Sequence, residues 1–290
     1  MCLRCWAGVL LGWLLCASAW AADSSECRQD SLRLSIIPVK NMGYLIDEYR
    51  PLANMLSQGL GMPVRILHAS SYEAVVDALV SGGTDIARLG PASYLQAWRL
   101  NPDIEPFASL VPAAGHFSTG GHYYHSLLLV RRDSELTGLG NLRRRRAALS
   151  DPVSTSGALI PRRVFSKVVG EPLETYFAGL VYAGSHDRAL DALLDGRVDA
   201  AFVSSERADE YLAQGLMESD TLQVLWRSDP IHYDPLVFSG AVCDSLKERI
   251  RSLVMTPSPA LADFIRSQRA DDIVPIDHQA YAPLLPLLFD

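Results

Sequence analysis

The chain has 290 residues, of which 33 are acidic and 26 basic, and its formal net charge is -7. That balance excludes a general nucleic-acid partner, which needs a basic surface to displace counterions. It does not exclude a small anion, because local amides and hydroxyls set the field inside a cleft, and the length suffices for two domains of ordinary size.

The first segment reads MCLRCWAGVLLGWLLCASAWAADSS. One Arg, an apolar stretch from Ala7 to about Ala17 and Ala19-Trp20-Ala21 fit a secretory signal peptide over residues 1–21. The apolar stretch falls short of the roughly 20 residues that span a bilayer, and Leu15 before Cys16 is a poor match to a lipoprotein signal. Export to the periplasm is the expectation. It would leave Cys27 and Cys243, two thiols that can form one bridge in an oxidising compartment. Two unrelated thiols are the alternative, since sequence spacing cannot place their Cα atoms within reach.

From Leu32 onward strands alternate with helices. LRLSIIPV is followed by a helix from Tyr44 to Leu60, then VRILHA, a helix from Tyr72, DIARLG and a helix from about Ala92. The rhythm returns with RRAALS, a helix after STSG, AGLVYAG, a helix from His186, DAAFVS and a helix to about Gln214. Such alternation predicts an α/β fold with mostly parallel sheets flanked by helices.

The two halves share a repeat. Residues 69–87, ASSYEAVVDALVSGGTDIA, align without a gap on residues 183–201, AGSHDRALDALLDGRVDAA, with eight of nineteen positions identical. Each copy begins a helix after Ser, ends it at a Gly suited to positive φ, and enters a strand after Asp. Tyr72 and His186 therefore occupy equivalent helix starts. In open α/β sheets the ligand crevice lies beyond the carboxyl ends of the strands, where helix N-termini converge, so a cleft closed by these two residues is expected.

Three groups could do chemistry there. Ser154, Thr155 and Ser156 precede a helix over Ala158 to Val169; they either cap it or surround an oxyanion with hydroxyls and first-turn amides. His186, unfavourable as a cation at a helix N-terminus, is either a neutral structural imidazole or a donor to an oxyanion. Glu206 ends a strand and Asp234 lies in the Pro-bounded SDPIHYDP; beside an anion either acid is repulsive unless the ligand also carries a cation. His116, His122 and His125 are weak metal candidates, because His-x-x-His on a strand turns the rings to opposite faces. Arg143 to Arg146 read as a solvated turn. Ser, His and Asp together raise a hydrolase, yet no Gly-x-Ser-x-Gly elbow is present.

The motifs ASSY, GGTDIARLGPASY, YYHSLLLVRRDS, DPVSTSG, AGSHD, GRVDAAFV and SDPIHYDP, in that order from about Leu32 to Phe238, resemble the phosphonate, phosphite and phosphate binding proteins of bacterial ABC importers. The resemblance implies a type II-like, two-lobed periplasmic binding fold, with residues 32–130 plus 232–290 as lobe one and residues 131–231 as lobe two. It implies a non-enzymatic receptor without cofactor or metal, monomeric, serving an inner-membrane permease or, alternatively, a sensor kinase. The phosphonate oxygens would be held by Tyr72, Tyr124, Ser154, Thr155, Ser156 and His186. As in aminoethylphosphonate receptors, Glu206 and Asp234 would hold a ligand ammonium. Arg88-Leu89 depart from the pattern, standing where that type has aromatic residues, and Tyr94 could reach the cleft.

Overall fold

The computed structural model describes residue 27 and residues 29–289; the expected signal peptide lies outside them. Strands in chain order are β1 Leu32–Ile36, β2 Val64–Leu67, β3 Ile86–Arg88, β4 Glu105–Pro112, β5 Tyr123–Tyr124, β6 Ser126–Arg131, β7 Arg146–Leu149, β8 Gly179–Tyr182, β9 Ala200–Ser204, β10 Leu222–Arg227, β11 Ile231–His232, β12 Pro235–Phe238 and β13 Ala270–Pro275. They form a six-stranded sheet ordered β13-β4-β12-β3-β1-β2, a five-stranded sheet ordered β10-β6-β9-β7-β8, and a ribbon of β5 with β11.

The repeat is visible in both sheets. β1 pairs in parallel with β2 and β3, and β7 in parallel with β8 and β9. Ser71 and Ser185 cap their nine-residue helices with the same extended backbone, each hydroxyl accepting the N–H three residues on. Gly82 and Gly196 leave those helices at φ of 72° and 71°, where a Cβ would be strained. Asp85 and Asp199 then accept the N–H of Arg33 and of Arg146, the opening turns of equivalent strands.

The expectation of mostly parallel sheets needs correcting. Only these two triplets are parallel: β12 runs antiparallel to β3 and β4, β13 to β4, and β6 to β9 and β10. The reason is topological, since segments that return from the other sheet enter against the direction of the βαβ units. The expected change of lobe between residues 130 and 131 also falls earlier. β6 is wholly a strand of the second sheet, and the crossing is made by β5, paired with the returning β11 at Tyr124 and Ile231.

Burial explains why β6 belongs there. Leu127 and Leu129 pack into one core with Leu190, Leu193 and Val203. Leu128 and Val130 face the other way, onto Phe165, Phe177 and Phe202. Both faces are covered, as the unbroken apolar run requires, and full burial of each Leu contributes about 2 kcal/mol. A third core under the first sheet gathers Leu34, Ile36, Tyr49, Leu56, Tyr72, Val76, Phe107 and Phe238.

Cys27 and Cys243 form a disulfide with Cα atoms 6.0 Å apart. It ties the start of the described chain to the N-cap of the helix Asp244–Met255.

Candidate oxyanion-binding site

Helix starts from the two sheets face each other across a narrow gap. Backbone contact closes it, because the N–H of Ala92 donates to Thr155 Oγ1 at 2.9 Å and Ser93 Oγ donates to the Val153 carbonyl at 3.2 Å. Gly90 permits this approach, since a Cβ there would stand 3.1 Å from Thr155 Oγ1. Inside lies a small cavity. Tyr72 and Asp234 enter it from the first sheet's side, Tyr124 from the ribbon, and Ser154, Thr155, Ser156, His186 and Glu206 from the second sheet's side. All eight residues singled out in the sequence thus line one space, with Ile37, Val39 and Gly90 completing it.

Ser154 is the N-cap, accepting the Gly157 N–H at 3.1 Å. The helix that follows begins with two π-helical segments, Thr155–Leu159 and Pro161–Phe165, before the α-turn Ser166–Val169. The expected helix thus starts earlier than Ala158 and is wider in its first turns. Gly157 is required: a Cβ would lie 2.1 Å from Ser150 Oγ and 2.9 Å from Ser154 Oγ. First-turn amides have no preceding helical carbonyl, so Thr155 and Ser156 present theirs at the mouth of the helix.

The structure decides the tautomer of His186. The Ser204 N–H donates to Nδ1 at 3.2 Å, which makes Nδ1 an acceptor, and Ser150 Oγ lies 3.0 Å from the same atom. The ring proton is therefore on Nε2, 3.3 Å from Ser154 Oγ. Burial, with Arg207 and Arg88 adding repulsion, lowers the imidazole to about 3. His186 is a neutral donor at any physiological pH. Ser150 and Ser204, which hold it, were not singled out from the sequence; two further serines at strand ends carry no local signal.

The remaining donors are likewise neutral. Burial, with Asp234 adding to it, holds the phenols of Tyr72 and Tyr124 well above their ordinary range, so both keep their O–H. The oxygens of Ser154 and Thr155 already accept N–H groups, which leaves their protons to donate. A ring of O–H and N–H donors without a mobile cation suits an anion of tetrahedral shape.

The acids are arranged differently from the expectation. Asp234 Oδ2 is 2.8 Å from Arg88 Nη2, with both side chains 8% exposed. Arg88 is thus buried beside the site, where it also bonds Tyr233 Oη at 3.3 Å. Glu206 has no such partner: Oε2 is buried and unbonded. Burial, reinforced by the charge of Asp234, raises its carboxyl to about 7. Tyr94 lies away from the cavity and bonds His278 Nδ1 at 2.8 Å. His125 donates from Nδ1 to the Ser228 carbonyl at 2.9 Å, a structural role. Among the described residues no group of three or more His, Cys, Asp or Glu is placed to hold a metal, and no helix is long and apolar enough to cross a membrane.

The fold and the site together define a two-lobed solute receptor. A binding component of an ABC phosphonate transporter from Pseudomonas aeruginosa shares the fold at a TM-score of 0.81 and 23% identity, over 89% of this chain and 85% of that one. Residues 34–281 match the model of a family described as ABC transporter, phosphonate, periplasmic substrate-binding protein. The phosphonates-binding periplasmic protein of Escherichia coli is 30% identical over 237 residues, 80% of this chain and 67% of that protein. The phosphate-import protein PhnD of Mycolicibacterium smegmatis is 27% identical over 239 residues, 80% of this chain and 73% of its own length. The chain belongs to the phosphonate family of periplasmic substrate-binding proteins of ABC transporters.

Proposed function

We propose that the protein captures a small phosphorus oxyanion in this cavity between the lobes and delivers it to an inner-membrane ABC permease. One observation carries this reading: residues of both lobes converge on a single gap, and six of them, Tyr72, Tyr124, Ser154, Thr155, Ser156 and His186, are neutral side chains that bring O–H or N–H groups to it. Shielding from water strengthens each such bond. Similarity to receptors named for phosphonates and for phosphate supports the substrate class.

A hydrolase built on Ser156 and His186 fares worse. An Nε2–H tautomer with Nδ1 already accepting a backbone N–H cannot take a proton from a nearby serine, which a general base must do. The narrower reading, in which 2-aminoethylphosphonate is the ligand and Glu206 with Asp234 holds its ammonium, meets the Arg88 guanidinium already seated on Asp234.

The test is a thermal-shift screen of the exported protein with phosphate, phosphite, methylphosphonate and 2-aminoethylphosphonate, followed by calorimetry. A ligand bound only by the folded form raises the melting temperature with the logarithm of its concentration. No shift with any of them, up to millimolar concentration, would remove the proposal.

A further inference from the structure

Asp234 faces the oxyanion cavity, Arg88 lines the adjoining space between the lobes, and Glu206 borders both. The guanidinium bonds Asp234 at 2.8 Å and lies over the Tyr233 ring, 5.6 Å from its centroid. A ligand substituent leaving the cavity past Glu206 therefore meets a fixed positive charge. Arg88 comes from the end of β3 in the first sheet, and Asp234 from the turn between β11 and β12, so the pair is set by two strands that are themselves hydrogen-bonded, Arg88 opposite Leu236.

Two acids beside an anion site call for a compensating cation. A zwitterionic ligand would bring its own; here the chain supplies it. We propose that Arg88 is a built-in counter-cation occupying the electrostatic role of a ligand ammonium, so that the site selects phosphorus oxyanions whose substituent is absent or uncharged. An incoming ammonium would find Asp234 engaged and would sit next to a like charge, with only Glu206 to attract it. An inorganic oxyanion or a short alkylphosphonate needs neither acid and keeps the neutral donor ring to itself.

This inference rests on the receptor reading, and calorimetry on the full exported chain separates the two. The wild type should bind its preferred ligand among phosphate, phosphite and methylphosphonate at least about tenfold more tightly than 2-aminoethylphosphonate, a difference of about 1.4 kcal/mol. Arg88→Gln should shift the ratio of methylphosphonate to 2-aminoethylphosphonate affinity by tenfold or more toward the amine. Because that variant orphans a buried carboxylate, Arg88→Gln/Asp234→Asn, which removes both charges together, is the second arm; with Glu206 left alone it should shift the ratio in the same direction by at least threefold. Tightest binding of 2-aminoethylphosphonate by the wild type, or an unmoved ratio in the folded double variant, overturns the role of Arg88 and leaves the receptor reading standing. Binding of none of the four ligands by the wild type overturns both.

Discussion

The ammonium of Lys40, from the first lobe, lies 2.5 Å from Glu48 of its own lobe and 2.5 Å from Glu210 of the other. Lys40 thus bridges those two carboxylates, and Arg207 completes the cluster by pairing with Glu210 and Asp187. Without Lys40 the closed form would press Glu48 toward Glu210. Lys40→Ala is expected to weaken ligand binding by about tenfold while leaving every cavity residue in place, because like-charge juxtaposition then opposes closure. Solution scattering should show the liganded variant less compact than the wild type; equal compactness and equal affinity would show that Lys40 does not hold the two lobes together.

Glu206 gives the site a pH dependence of stated sign. A carboxyl at about 7 is increasingly ionised above neutrality, and an anionic ligand disfavours that form. Affinity for methylphosphonate should fall from pH 6 to pH 8 by about tenfold more in the wild type than in Glu206→Gln, at roughly tenfold per unit beyond the carboxyl's own value. The ligand's titration is common to both proteins, so the difference in slope isolates Glu206. Parallel profiles would show that the residue does not ionise beside the ligand.

His186 acts on stability in the opposite direction. Its value of about 3 in the fold lies below the 6.5 of the free side chain, so the unfolded chain takes up a proton that the folded one refuses. The corresponding stability is fully present above pH 6.5 and is lost as pH falls, by about 2 kcal/mol at pH 5. His186→Gln should be less stable than the wild type at pH 7.5 yet lose less on acidification to pH 5, as read by urea unfolding. Identical acid slopes would contradict a buried neutral imidazole.

Gly157→Ala tests the local geometry of the oxyanion helix. The added Cβ must displace Ser150 or Ser154, and both touch the His186 ring. Overpacking of this kind costs about 1–3 kcal/mol, and the loss of donor alignment should weaken binding by more than about a hundredfold. Calorimetry and thermal melting on the same sample read both effects. Wild-type affinity in the variant would show that the helix start takes no part in recognition.

The Cys27–Cys243 bridge closes a loop across a sequence separation of 216 residues, for which chain entropy allows up to about 5 kcal/mol. Cys243→Ser should lower the melting temperature by about 5 °C or more and leave ligand affinity unchanged, since neither cysteine borders the cavity. A loss of affinity at equal folding would tie the bridge to the site.

Much of this arrangement was legible in the residues themselves. Helix starts at Ser71 and Ser185, the exits at Gly82 and Gly196, and the pairing of Tyr72 with His186 are encoded within a few neighbours, because caps and glycine turns depend on local backbone preference. The ordered motifs likewise named the eight cavity residues. Tertiary structure decided the rest. The strand β6 is equally apolar whichever sheet it joins, and only the covering of both its faces assigned it to the second. The proton of His186 was placed by a backbone N–H eighteen residues away, and the ion-pair partner of Asp234 is an arginine 146 positions distant in the chain. Local sequence writes the elements and their ends; electrostatic partners that meet only when strands align write the chemistry between them, because Coulomb and hydrogen-bond energies depend on separation in space and not along the chain.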